Sequence, residues 1–379
     1  MQMRRPGLIV ESALSLAAAH AAPTETLLQA DQGQEDTERA CVWYDIRLLN
    51  VEGKGWTDTE AFYDRLPAKA KGVVRDPVWD LSRHSAGLCV RFVTDATALH
   101  ARWTLRSNSL AMNHMPATGV SGLDLYVRQP DGTWHWLAVG RPEKAPTNTV
   151  QLTAGIPEGE REFMLYLPLY NGVTSVELGI PQDRRIGTAP AYAVGKAKPI
   201  VFYGTSITQG GCASRPGMVH TAIVGRHLQW PVINLGFSGN GQMEPEVADL
   251  LAELDPAVFV LDCLPNTGAD QIRERLVPLV RKIRTAHPDT PILLTEDRTY
   301  CNAFLITGNR RRNETSRDAH REGYEQLLAE GYTGLHYLPG EALLGEDGED
   351  TVDGSHPTDL GFMRQAEAFL KALRPILGL

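Results

Sequence analysis

The stretch Ile200-Val201-Phe202-Tyr203-Gly204-Thr205-Ser206-Ile207-Thr208-Gln209-Gly210-Gly211 decides how the chain is read. Its opening apolar run has the length of a buried strand, and the glycines and serine directly after it mark a strand-to-helix turn. Runs of the same kind recur at 232–235, 258–261 and 292–295. Between them, Met243, Val247, Leu250, Leu251 and Leu254 sit at helical spacing, as do Ile272, Leu276, Val280 and Ile283, with Pro278 expected to kink the latter. Leu360, Met363, Ala366, Leu370 and Leu373 make a final amphipathic helix. Strands alternating with helices from 199 to 379 predict an α/β fold, a doubly wound and mostly parallel sheet.

Upstream the period changes to two. Leu99, Ala101, Trp103 and Leu105 alternate with polar residues, as do Leu123, Leu125 and Val127, each the mark of a half-buried strand. Pro130-Asp131-Gly132 supplies turn chemistry before a strand at 134–139, and Asn171-Gly172 is expected to join strands at 163–170 and 173–178 as a hairpin. An antiparallel, jelly-roll-like β-sandwich over 41–181 follows, then a Gly/Ala/Pro-rich linker at 182–198.

The whole chain has 379 residues, enough for two or three domains at about 150 residues each. Its 42% hydrophobic and 22% charged composition is ordinary globular usage, which excludes disorder and fibrous architectures. The formal charge is 37 minus 46, or −9, without a stretch of five or six Lys or Arg, so no nucleic-acid partner is expected. The apolar stretch 163–176 is interrupted by Pro168, Asn171 and Gly172, so no membrane span is expected either. Five cysteines, Cys41, Cys89, Cys212, Cys263 and Cys301, lack any C-x-x-C pair and signal neither a disulfide framework nor a zinc site. Residues 1–40 read as a leader. Arg4 and Arg5 precede an apolar run and Ala19-His20-Ala21 has the form of a signal-peptidase site, which favours export over a cytoplasmic location despite Glu11 within the run.

In a doubly wound sheet, ligands bind where the strands end. Ser206 follows the first strand there; Thr208 stands where a G-x-S-x-G elbow needs its second glycine, which disfavours an α/β-hydrolase. Gly239 follows the second strand and could offer a free backbone N–H, and Asn266 follows the third with a neutral amide donor. Asp353-Gly354-Ser355-His356 precedes the last helix, at a spacing that lets a carboxylate hold one imidazole nitrogen while the other acts as a general base. Each piece alone is as well explained by a cap, a turn or a solvated loop.

Taken together, with the flanking strings Ser206-Ile207-Thr208-Gln209-Gly210-Gly211 and Asp353-Gly354-Ser355-His356-Pro357-Thr358, they resemble the SGNH (GDSL-like) hydrolase superfamily from about 199 onward. The resemblance implies a three-layer, flavodoxin-like domain with Ser206 as nucleophile, His356 as base and Asp353 orienting it. It implies an oxyanion hole of the Ser206 and Gly239 N–H groups and the Asn266 amide, and no cofactor or metal. Thr205 departs from the Asp of Gly-Asp-Ser, and a Ser-His dyad without need of Asp353 stays open. A sandwich ahead of such a domain is similar to bacterial carbohydrate acetylesterases, so the expected activity is deacylation of a short-acyl ester, a small molecule or an acetylated polysaccharide. The alternatives are a lipase or thioesterase on longer acyl chains, or a decayed carbohydrate-binding protein.

Six of the seven tryptophans, Trp43, Trp56, Trp79, Trp103, Trp134 and Trp136, precede residue 140. Trp103 is in phase with an apolar face and belongs to a core; Trp134 and Trp136 are assigned to core ahead of sugar stacking. The string Ser82-Arg83-His84-Ser85-Ala86-Gly87 is similar to one in sandwich domains attached to such hydrolases. His114 is read as a surface-loop residue rather than one leaning over the site, and the acidic run 346–350 as a solvated loop.

Overall fold

The computed structural model describes residues 26–379, and the first part of the leader, with its Ala19-His20-Ala21 site, lies outside them. The front part builds two antiparallel sheets. One has the order β1 (Gln34–Asp36), β2 (Cys41–Asp45), β10 (Val173–Pro181), β5 (Ala98–Leu105) and β8 (Thr147–Ala154). The other has the order β11 (Ile186–Thr188), β4 (Cys89–Thr94), β9 (Arg161–Tyr166), β6 (Leu123–Arg128) and β7 (Trp134–Gly140), with β3 (Val51–Glu52) also on β4. Their inward side chains, Val42, Tyr44, Val90, Phe92, Leu99, Ala101, Trp103, Leu123, Leu125, Phe163, Leu165, Val176 and Leu178 among them, form one core. Trp103 is fully buried, as its phase requires.

Four expectations need correction. The strands around Asn171-Gly172 are no hairpin: β9 and β10 lie in different sheets, so the segment crosses between them. Asn171 is fully buried there, its side chain bonding Ser107 and Ser121, which is how a polar residue satisfies itself inside. The leader and linker readings are each too long, because β1 pairs with β2 and β11 with β4. Trp136 is about half exposed, its indole N–H donating to Asp124, and is not core.

The second part is a five-stranded, wholly parallel sheet in the order β13 (Val232–Gly236), β12 (Ile200–Gly204), β14 (Val258–Asp262), β15 (Ile292–Thr295), β16 (Leu335–Leu338). Alternate side chains go to opposite faces. Ile200, Phe202, Val258 and Val260 meet helices α4 (His220–Leu228) and α8 (Asp359–Ile376), while Val201, Tyr203, Phe259 and Leu261 meet α5 (Pro245–Leu251), α6 (Ala269–Ala286) and α7 (Thr307–Ala329). Pro278 falls inside α6 without ending it. The chain turns to opposite sides of β12 at β13 and β14, so the crevice at their carboxyl ends is the switch point where ligands bind.

The two parts share their cores. Trp56, Leu66, Val74, Val78 and Trp79, from the connection that includes α1 (Asp76–Ser82), pack with Ile233, Leu235, Leu251 and Leu254. On the other side, Tyr126, Met164 and Tyr166 of the second sheet pack with Phe202, Ala222 and Ile223. Each such large side chain removed from water is worth roughly 1.5–3 kcal/mol. Arg65, 1% exposed, crosses the same seam: it donates to the Asn234 and Gly236 carbonyls of β13 and to the Leu81 and His84 carbonyls beside α1. The protein should therefore unfold in a single thermal transition, and Trp79→Ala should destabilise the whole by about 3–5 kcal/mol; calorimetry that resolves two transitions, only one of them shifted, would contradict a shared core.

Candidate active site

Ser206 opens the short helix α3 (Ser206–Gln209), and the cap is Thr205, whose hydroxyl accepts from the Ile207 N–H at 3.3 Å. Thr205 is fully buried, so the residue that departs from Gly-Asp-Ser has a local capping role. Below it, the Thr208 hydroxyl donates to Asp262 at 3.1 Å, and Arg298 donates to both Asp262 oxygens at 3.0 and 3.1 Å. Burial pushes the Asp262 carboxyl up, and the Arg298 charge opposes that. This buried pair joins the loop after β12 to the loop after β15.

The Ser206 hydroxyl lies 2.8 Å from His356 Nε2, and His356 Nδ1 lies 2.8 Å from Asp353 Oδ2. Asp353 is held by its own turn, accepting the Ser355 and His356 backbone N–H groups on Oδ1 at 3.0 and 2.8 Å. Its burial raises the carboxyl pKa, but these N–H donors and the His356 ring outweigh that and hold it below its ordinary value. The Nδ1 proton faces the carboxylate, so Nε2 keeps its lone pair for the serine proton.

Two further ties bring the distant loops together. Asp359, at the start of α8, accepts from the Ser214 N–H and hydroxyl at 2.9 and 2.5 Å. Asp350 is fully buried, bonded to Arg364 and the Gly345 N–H, while its carbonyl accepts from the N–H and hydroxyl of Thr358. The acidic run is thus not simply a solvated loop; its last residue braces the segment that carries Asp353 and His356.

Gly204, Gly236 and Asp262 stand side by side at the sheet edge, so the loops after β12, β13 and β14 are neighbours. Gly239 is exposed with φ +69°, a left-handed conformation costing an L-residue about 1–2 kcal/mol. Asn266, ending a 3-10 turn, accepts the Gly241 N–H on Oδ1 at 3.3 Å, which leaves its Nδ2 for another partner. The arrangement can therefore place N–H donors from three neighbouring loops around one developing oxyanion.

Several residues about this site escape motif reading. Tyr170 of the front part donates to the Ser206 carbonyl at 3.1 Å, and burial pushes its hydroxyl pKa up, keeping it a donor. Gln209 accepts from the Ser238 N–H at 3.0 Å and donates to the Leu169 carbonyl and to His84 Nδ1, each at 3.0 Å. Burial, with Arg65 and Arg106 nearby, lowers the His84 pKa to about 4, so its ring is a neutral acceptor. The Ser82 to Gly87 string thereby serves the turn after β13. His114 departs from its surface-loop reading: half-buried, its ring meets that of His356 edge-on at 6.1 Å between centroids. Among the described residues no group of three or more His, Cys, Asp or Glu could hold a metal ion, and no helix is long and apolar enough to cross a membrane.

The profile of the GDSL-like Lipase/Acylhydrolase family matches residues 197–374, and that of the N-terminus of Esterase_SGNH_hydro-type proteins, GxDLY, matches 41–186. The latter string stands here as Gly122-Leu123-Asp124-Leu125-Tyr126 in and before β6. Its fully buried Asp124 accepts from Arg215 and the Gly217 N–H at 2.8 and 2.7 Å, and Arg215 also donates to the Tyr126 hydroxyl, so the motif fastens the sandwich to the loop after Ser206. The crystal structure of a protein described as a GDSL-like lipase, from Bacteroides ovatus ATCC 8483, is 34% identical over 89% of this chain and 98% of its own, with a TM-score of 0.84. The fold is shared with the salicylyl-acyltransferase SsfX3 of a tetracycline biosynthetic pathway, 20% identical over 90% and 98% of the two chains at a TM-score of 0.72. It is shared also with a family two carbohydrate esterase from Clostridium thermocellum in complex with cellohexaose, 17% identical over 77% and 93% at 0.55. No curated protein has a significant match. With a relative this similar along nearly its whole length, the chain belongs to the GDSL-like lipase/acylhydrolase family of SGNH-type serine ester hydrolases.

Proposed function

We propose that the protein removes short acyl groups, acetyl above all, from a hydroxyl-rich alcohol such as a carbohydrate, through an acyl-enzyme on Ser206. The observation that carries this reading is the 2.8 Å approach of the Ser206 hydroxyl to a His356 ring whose other nitrogen is held by Asp353. As Ser206 Oγ bonds to the carbonyl carbon, its proton moves to His356 Nε2 and the carbonyl electron pair becomes an oxyanion facing the Ser206 and Gly239 N–H groups and the Asn266 amide. Collapse breaks the bond to the alcohol oxygen, which takes the proton back from His356. Water, deprotonated by the same ring, then releases the acid. A carbohydrate alcohol is supported by the family two carbohydrate esterase that shares the fold.

Hydrolysis of longer acyl chains is the second reading. It draws on Phe304, Leu305 and Ile306, all exposed, on a loop whose Cys301 N–H donates to the Gly354 carbonyl at 3.0 Å, inside the turn that carries Asp353.

Ser206→Ala should lower release of p-nitrophenol from its acetyl ester by about 10⁴–10⁶ with circular dichroism unchanged; turnover like that of the wild type would exclude the mechanism. Asn266→Ala should cost about 10²–10³ in kcat, read in the same assay. Along a p-nitrophenyl ester series, activity should fall beyond about four acyl carbons, whereas a rise would favour the second reading. Asp353 is nearly half exposed, so Asp353→Asn should reduce kcat by about tenfold to a hundredfold, less than the ~10⁴ of a buried triad carboxylate. A carboxyl depressed in the folded state contributes above its unfolded pKa and loses that contribution as pH falls through the folded one. The Asp353 deficit should therefore persist through neutral pH and shrink only below the ordinary carboxylate range, as a pH profile of both proteins would record.

A further inference from the structure

His114 lies in an excursion of the sandwich between β5 and α2 (Ala117–Val120) that is anchored on both sides. At its base, Ser107 is bonded through both N–H and C=O to the buried Asn171 side chain. Around His114 itself, Met112 and Met115 pair their backbones, and the Thr118 hydroxyl just beyond donates to the Ser214 carbonyl at 2.6 Å, in the loop that follows Ser206. The excursion is thus fastened to the nucleophile's own loop, and the placement of His114 against His356 is a consequence of that fastening.

The contact is edge to face, with the rings at 70° and their centroids 6.1 Å apart. His114 Nδ1 lies 2.7 Å from Asn113 Oδ1, an oxygen that can only accept, so Nδ1 carries the proton and Nε2 is left with a free lone pair. The base that takes the serine proton must return it to the departing oxygen, so in the reaction proposed above the alcohol part of the ester lies beside the His356 ring. A neighbour of that ring borders the alcohol, whereas the oxyanion donors at Gly239 and Asn266 border the acyl carbonyl.

We propose that His114 is a specificity residue supplied by the sandwich: its Nε2 accepts a hydrogen bond from a hydroxyl on the alcohol part of the substrate, selecting esters of polyols and sugars over esters of simple alkanols. The proposal deepens the esterase reading and rests on it. Exposed Met112 beside it gives the same rim an apolar patch, and a sugar ring has both kinds of surface.

The test uses the full chain and two acetyl esters of equal carbon count, 1-acetylglycerol and propyl acetate, which differ only in two alcohol hydroxyls. The wild type should prefer acetylglycerol in kcat/KM. His114→Phe keeps a ring against His356 but no acceptor; it should lower kcat/KM for acetylglycerol by about three- to tenfold, the worth of one hydrogen bond. The loss should fall on KM with kcat preserved, because a contact made equally in ground and transition states changes binding alone. Propyl acetate should lose clearly less kcat/KM than acetylglycerol, and His114→Gln, which retains an acceptor, should recover part of the preference. Equal losses on both esters would make the ring a packing element and overturn the proposal, as would unchanged kinetics on both. A wild type inert toward both esters, no different from Ser206→Ala, would instead defeat the esterase reading and the proposal with it.

Discussion

A serine hydroxyl and an imidazole 150 residues apart in the chain meet at 2.8 Å, and most of the remaining structure can be understood as holding that contact. Neither group is placed by a rigid element alone. Ser206 sits on a turn of a few residues and His356 on an irregular loop, so each needs its neighbours fixed. The Thr205 cap, the buried Asp262–Arg298 pair under Thr208, the Ser214–Asp359 bonds and the buried Asp350 supply that fixation. A loop-borne pair loses much of its rate when displaced by about an ångström, which is why buried charge is tolerated here. Burying Asp262 and Arg298 is costly, and removing either partner would leave the other uncompensated.

The sandwich belongs to the same constraint. It is continuous with the hydrolase layer through two cores, through Arg65 on the β13 carbonyls, through Asp124 on Arg215, and through Tyr170 on the Ser206 carbonyl. Arg65 and Tyr170 both end on backbone, at the end of β13 and at Ser206 itself. A domain built only to hold carbohydrate at a distance would have no reason to reach that backbone, whereas one that helps shape the cleft would.

Much of this architecture was legible because hydrophobic periodicity is a local signal. The runs at 200–203, 232–235, 258–261 and 292–295 are strands within a residue at each end, and Trp103 is core. Of the residues singled out, Ser206, Gly239 and Asn266 fall on neighbouring loops at one sheet edge, Asp353 and His356 lie on the loop before α8, and the side chains of Ser206, Asn266, Asp353 and His356 make the hydrogen bonds described. What failed depended on tertiary context. A turn signal at Asn171-Gly172 reads the same whether the strands pair with each other or cross between sheets. The charged helix α7 and short β16 carry too few apolar residues for periodicity to find, since α7 is held by one buried stripe through Asn313, Ser316, Ala319, His320, Gly323 and Leu327. Trp134 and Trp136 share one parity, but a register shift between Trp136 and Ala138, opposite Leu125 and Tyr126, puts that parity out of phase with the buried Ala138. His114 was misplaced because no spacing rule connects a sandwich loop to a base at the far end of the chain.

The most direct measurement of the central claim is covalent. A fluorophosphonate reacts with a serine hydroxyl that a neighbouring base has activated, and peptide mapping locates the adduct. The account predicts a single adduct on Ser206, forming at least a hundredfold more slowly when His356→Ala removes the base, on the order of the contribution of general-base catalysis. An adduct on another residue, or equal labelling rates in the two proteins, would contradict it.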